Sequence, residues 1–139
     1  MRSFFRFREI DRHYPRPMAQ ELRDLGTDFM HDDRWEPIRG YMLSAPIDDA
    51  WSVLLDALSN VPIEDRGALC DFGVVMLESV LTRCETRKLI SHLRASAGDP
   101  RVHRALSCVW YASRPRRLRR AIAELQPPRG SIDDVGSDA

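Results

Sequence analysis

The chain has 139 residues, 43% hydrophobic and 30% charged, with a formal net charge of zero. That length supports one core without metal or disulfide reinforcement, and no apolar run approaches the roughly 18 residues that a membrane span needs. Neutrality of the whole conceals a sorting of charge: Asp24 to Glu85 holds 13 carboxylates against Arg34, Arg39, Arg66 and Arg83, whereas Thr86 to Arg120 holds 9 arginines and Lys88 against Asp99 alone. Blocks of this kind either pair inside the fold or present one sign to a charged partner.

Residues 1–17 read as an arm: Phe4, Phe5 and Phe7 lie among arginines, Pro15 and Pro17 close the segment, and there is neither a helical period nor an apolar leader. A first helix is expected from Met18 to about Met30, with Leu22, Leu25 and Phe29 on one face. His31 to Ala45 contains Pro37 and Gly40 and reads as a connection, within which Trp35, Ile38, Tyr41 and Leu43 can pack. From Pro46 the helical signal is strong. Ser44 is placed to cap, Asp48 and Asp49 favour the first turn, and Trp51, Leu54, Leu55 and Leu58 recur at helical spacing until Asn60 and Pro62 stop the pattern.

A short helix over about 63–72 carries Ala68, Leu69 and Phe72, and Gly73 is expected to break or kink it before a helix bearing Met76, Leu77, Val80 and Leu81. Leu89, Ile90 and Leu93 mark the next helix, from Thr86 to about Ala97. Asp99 and Pro100 then open another as N-cap and first-turn proline, with Val102, Ala105, Leu106, Val109 and Trp110 inward. The last helix, about Pro115 to Leu125, buries Leu118, Ile122 and Leu125, and Pro127-Pro128-Arg129-Gly130 leads into a polar tail expected to be mobile. The expected fold is all-α, a compact array of six or seven short helices over residues 18–126, whose antiparallel pairs can stack, with a tail over 127–139. Trp51 and Trp110 are both expected in its core.

Cys70, Cys84 and Cys108 are odd in number and far apart, and without a Cys-x-x-Cys they read as small apolar residues of a reducing compartment. Twenty arginines against one lysine mark a GC-rich bacterial coding sequence. No phosphate-binding glycine loop, zinc spacing or His-Glu-x-x-His is present, and His13, His31, His92 and His103 lack a motif-spaced nucleophile, so no catalytic residue, metal ligand or cofactor is assigned. Protein binding is the reading that remains for the acidic block. Asp28, Asp32, Asp33, Glu36, Asp48, Asp49, Asp56, Glu64 and Asp65 fall on expected loops and helix starts, with Trp35 and Tyr41 among them as candidate aromatic anchors. Arg114, Arg116, Arg117, Arg119 and Arg120 form the alternative site, for nucleic acid; it ranks second because no glycine or aromatic residue is interleaved for base stacking.

Asp49-Ala50-Trp51, Leu69, Gly73, Leu77-Glu78, Leu81, Leu89-Ile90, Asp99-Pro100-Arg101, Ala105-Leu106 and Val109-Trp110 together resemble an uncharacterised family of small bacterial all-helical domains. In that family a Gly-Pro-Leu-Glu turn opens a helix and a later Asp-Pro-Arg leads to a Leu and a Trp; here Gly73-Val74-Val75-Met76-Leu77-Glu78 lacks the proline and carries extra residues. The likeness covers about residues 46–125 and implies an immunity or antitoxin role. The acidic block gives another protein as the expected partner, such as a basic toxin or effector domain, and the lack of a leader or membrane span gives a cytoplasmic protein, with a helical module of another role as a further alternative.

Overall fold

The computed structural model describes residues 15–126, and every regular element among them is helical. Residues 1–14 and the tail from 127 lie outside the described residues, and with them the expectations for most of the arm and for the tail.

Helix α1 (Ala19–Asp24) is shorter than its apolar spacing suggested. Gly26 adopts φ 71°, a left-handed conformation that ends the helix two residues after Asp24. Phe29 is nevertheless buried, reached through a turn, and it packs edge-on against Phe72 and tilted against Trp35 at centroid distances of 5.2 and 4.6 Å.

The expected connection over 31–45 is instead structured. A 3-10 turn (Asp33–Trp35) runs into helix α2 (Glu36–Ser44). Pro37 sits in the first turn, where no backbone N–H is needed, so it starts the helix that it was expected to prevent. Trp35, Ile38, Tyr41 and Met42 then share the inward face.

Helix α3 (Ile47–Ser59) carries the expected stripe, with Trp51, Leu54 and Leu58 buried. Ser44 does not cap it; its hydroxyl donates to the Gly40 carbonyl inside α2 at 2.6 Å. Helix α4 (Arg66–Phe72) begins at Asp65, whose carboxylate accepts the Ala68 N–H at 3.0 Å. Gly73 does not break the chain's helical course. A π turn (Gly73–Leu77) carries it into α5 (Glu78–Leu81). Helix α6 (Thr86–Ala95) comes next, then α7 (Pro100–Leu106), whose N-cap Asp99 accepts the Arg101 N–H as expected, and α8 (Arg116–Leu125).

The most extensive helix contacts, α6 on α8 and α4 on α7, join elements that are not neighbours in sequence. Helix α3 touches α1, α2, α6 and α7 and so lies at the centre of the core. Where α4 passes into the π turn, the chain presses on α7: a Cβ at Gly73 would stand 2.0 Å from the Ala105 carbonyl oxygen. That glycine is required by close approach.

The chain around the end of α7 overturns two expectations. That helix stops at Leu106, so the inward register reaches Val109 but not Trp110, whose side chain is 71% exposed. Cys70 and Cys108 are joined in a disulfide, leaving Cys84 as the free and exposed cysteine of the described residues. Their adjacency arises from the packing of α4 against α7, which linear spacing does not show. The cysteine argument for a reducing compartment falls with that pairing.

Gly73→Ala should cost about 2 to 3 kcal/mol or more, since backbone rather than a flexible side chain must move aside; urea denaturation of the purified variant measures it. Replacing Cys70 and Cys108 by Ser should cost about 4 kcal/mol through the lost restraint on the unfolded chain across a separation of 38 residues. The melting temperature should fall by roughly 10 °C or more, with the far-ultraviolet circular dichroism of the folded state retained. A melting point unchanged by reduction would show that the bond contributes nothing.

Candidate functional site

Most of the expected acidic residues have local structural work. Asp28 accepts the His31 N–H at 3.2 Å, and Asp65 caps α4. Asp32 accepts both the backbone N–H of Arg34 and its guanidinium, which reaches the two carboxylate oxygens at 2.6 to 3.1 Å. Those bonds hold the Asp32 carboxyl below the usual aspartate range. Glu36 pairs with Arg39 at 3.2 Å, and Asp56 stands 4.0 Å from Arg16. Asp33, Asp49 and Glu64 are at least partly open to solvent.

The aromatic anchors assigned to this face are corrected. Trp35 and Tyr41 are 2% and 5% exposed, both on the buried face of the α2 region, and neither projects to meet a partner. Trp35 does border a groove of about 300 Å³, together with Asp32, Asp33, Glu36, Arg39, Phe29, Val75 and two exposed apolar side chains, Met30 and Val74. Its indole N–H is buried and has no hydrogen-bond acceptor among the described residues. Four residues singled out in the sequence, Asp32, Asp33, Trp35 and Glu36, therefore meet at one groove. Asp48, Asp49, Asp56, Glu64 and Asp65 do not line it, and Tyr41 belongs to the core.

The basic block divides differently. Arg114 is tied down, donating to the Thr82 carbonyl at 3.0 Å and to Ser113 Oγ at 3.2 Å. Arg116, Arg117, Arg119 and Arg120 are exposed on α8, opposite its buried Leu118, Ala121, Ile122 and Leu125. Trp110 stands beside them. It shares a second cleft, of about 610 Å³, with Tyr111, Arg116, Arg119, Arg120 and Ala123. Sequence reasoning missed this pairing because Trp110 lies on the extrapolated stripe of α7, and its spacing carries no sign that the helix stops short.

The two charge blocks also pair with each other. Asp48, in the first turn of α3, accepts a hydrogen bond from His92 Nε2 on α6 at 2.8 Å, and Lys88 lies 3.6 Å away. His92 stacks on the buried Trp51 ring at 5.4 Å. Among the described residues no group of three or more His, Cys, Asp or Glu side chains is placed to hold a metal ion, and no helix is long and apolar enough to cross a membrane. No family model, curated protein or solved structure matches the chain.

The hydrogen bond from His92, and after it the charge of Lys88, holds the Asp48 carboxyl below the usual aspartate range. Since its folded-state value is depressed below that in the unfolded chain, the ionised carboxylate stabilises the fold above the unfolded-state value. That contribution disappears as pH falls through the folded-state value. Asp48→Asn should thus lower the melting temperature at neutral pH, with variant and wild type converging as the solution is acidified. Thermal melts across an acid series check this; a gap independent of pH would remove Asp48 as its origin.

Proposed function

We propose that this chain is a protein-binding helical domain of the immunity or antitoxin type, and that the groove beside Trp35 receives a basic segment of a toxin or effector. The observation that carries the reading is a groove bordered by Trp35, whose indole N–H is buried without an acceptor among the described residues, and flanked by the exposed Met30 and Val74. A buried donor without an acceptor costs about 1 to 3 kcal/mol. A partner that lays an apolar side chain against Met30 and Val74 covers their exposed surface, and a groove that opens on binding lets a backbone carbonyl of that partner reach the indole. Asp32 is paired with Arg34 and Glu36 with Arg39, which leaves Asp33 as the carboxylate of the rim without a cation beside it among the described residues, and that negative charge favours a cationic partner and steers its approach.

The resemblance to small bacterial helical domains belongs to the same proposal, as does a cytoplasmic location, where such an inhibitor would meet its target. That location requires the helical core to hold the fold with Cys70 and Cys108 reduced.

The test uses a short amphipathic peptide, two arginines flanking two leucines, titrated into ¹⁵N-labelled protein. The indole N–H resonance of Trp35 should shift, and the association rate should fall with added salt. Asp33→Lys with Glu36→Lys should abolish the salt dependence; Asp32 is left intact because it caps the 3-10 turn. Trp35→Phe keeps the ring packing and should weaken binding roughly twofold to tenfold by removing the donor. An indole resonance unmoved at saturating peptide would sink the proposal.

A further inference from the structure

The acidic groove leaves the Arg-rich helix unexplained, and α8 presents more than a solvated charge run. Arg116, Arg119, Arg120 and Ala123 fall at i, i+3, i+4 and i+7, one continuous stripe of the helix surface facing the Trp110 cleft. Among the described residues no carboxylate lines that cleft, and none of the three guanidiniums pairs with an acid. Elsewhere in the basic block four charges are engaged, while Arg87, Arg94 and Arg117 are exposed but line neither cleft. Arg101 and Arg104 donate to the Val61 and Ile63 carbonyls at 2.8 and 3.0 Å, Arg114 donates to Thr82, and Lys88 meets Asp48. Three unengaged cations thus face one cleft together with an exposed aromatic ring.

The exposed indole is carried by a backbone that is not free to move. Cys108 is bonded to Cys70, the Trp110 N–H donates to Glu78 Oε2 at 3.3 Å, and the Tyr111 hydroxyl donates to Gln126 Oε1 at 2.9 Å. Three tethers thus hold the backbone on which a large apolar ring stands 71% exposed, so the place of the platform is set before any ligand arrives.

We infer that this cleft binds single-stranded nucleic acid, with a base stacked on Trp110 and the flanking phosphates held by Arg116, Arg119 and Arg120. Stacking on an aromatic face accepts any base, and arginines supply bidentate contacts to phosphate oxygens. Arg116 and Arg120 are separated by about one helical turn, close to 6 Å of rise, a distance their side chains span between neighbouring phosphates of one strand. A duplex keeps its bases stacked on one another and offers none to the indole. The groove beside Trp35 shares no lining residue with this cleft, so the two sites can be tested apart.

Fluorescence anisotropy of a labelled oligothymidylate, at low and physiological salt, provides the test. Wild type should bind at low salt, and Trp110→Ala should weaken binding roughly fivefold to a hundredfold with an unchanged melting temperature, because that ring is exposed. Trp110→Phe, which keeps a stacking face, should recover most of the loss. Replacing Arg116, Arg119 and Arg120 together by Ala should reduce the slope of log affinity against log salt by about 2. The inference is overturned if the oligonucleotide does not bind at low salt, if Trp110→Ala binds it as well as wild type, or if an oligoglutamate peptide or the matching duplex competes equally well.

Discussion

The crossing of α4 over α7 is the contact on which most of the remaining structure depends. Gly73 brings helical backbone against the Ala105 carbonyl with no room for a Cβ, and Cys70, one turn earlier, is bonded to Cys108 just beyond the end of α7. Those two contacts fix where α7 stops and which way the chain leaves it. The next turn positions Val109 inward and Trp110 outward, and Arg114 then anchors to Thr82 before α8 begins. The π turn at Gly73–Leu77 accommodates this close contact without interrupting the helical course, one use that such turns serve. Val74 and Val75, the first residues past the glycine, also line the groove beside Trp35, so the same crossing contributes to both candidate surfaces.

Sorted charge resolves into several local devices. Of the basic side chains, Arg83, Arg101, Arg104 and Arg114 end on backbone carbonyls of Met42, Val61, Ile63 and Thr82. These acceptors lie at or near helix ends and in the turns after them, where carbonyls lack intrahelical partners and guanidinium forks satisfy them. Carboxylates serve the opposite ends, as with Asp65 and Asp99 at N-caps. The acidic and basic blocks thus reflect a division of labour at helix termini as much as a field offered to a partner, and Asp48 with His92 and Lys88 joins the blocks directly.

Legibility in the sequence tracks how local each cause is. Helices α3 and α7 are readable because periodicity, first-turn carboxylates, Asp99 and Pro100 act within a few residues. Helix α2 reads as a connection because Pro37 and Gly40 look like breakers, although a first-turn proline and one internal glycine are compatible with a helix supported by core packing. The exchange between Trp35 and Trp110 has a different origin. Trp110 faces outward because α7 stops at Leu106, next to a disulfide between residues 38 positions apart, while Trp35 is buried against Phe29, both outcomes of tertiary packing. The candidate acidic site is partly legible, since Asp32, Asp33, Trp35 and Glu36 do converge, but their convergence with Met30 and Val74 needs the fold.

The long tethers also impose an order on synthesis. Carbonyls of Val61 and Ile63 wait for Arg101 and Arg104, Gly73 waits for Ala105, and α6 waits for α8. A nascent chain therefore emerges from the ribosome with its acidic half helical in tendency but without the surface that closes over it, and the core is completed only when α7 and then α8 are released. During that interval the uncovered apolar faces of α3 and α4 are bordered by like charges from the acidic block, which repel other chains in the same unfinished state.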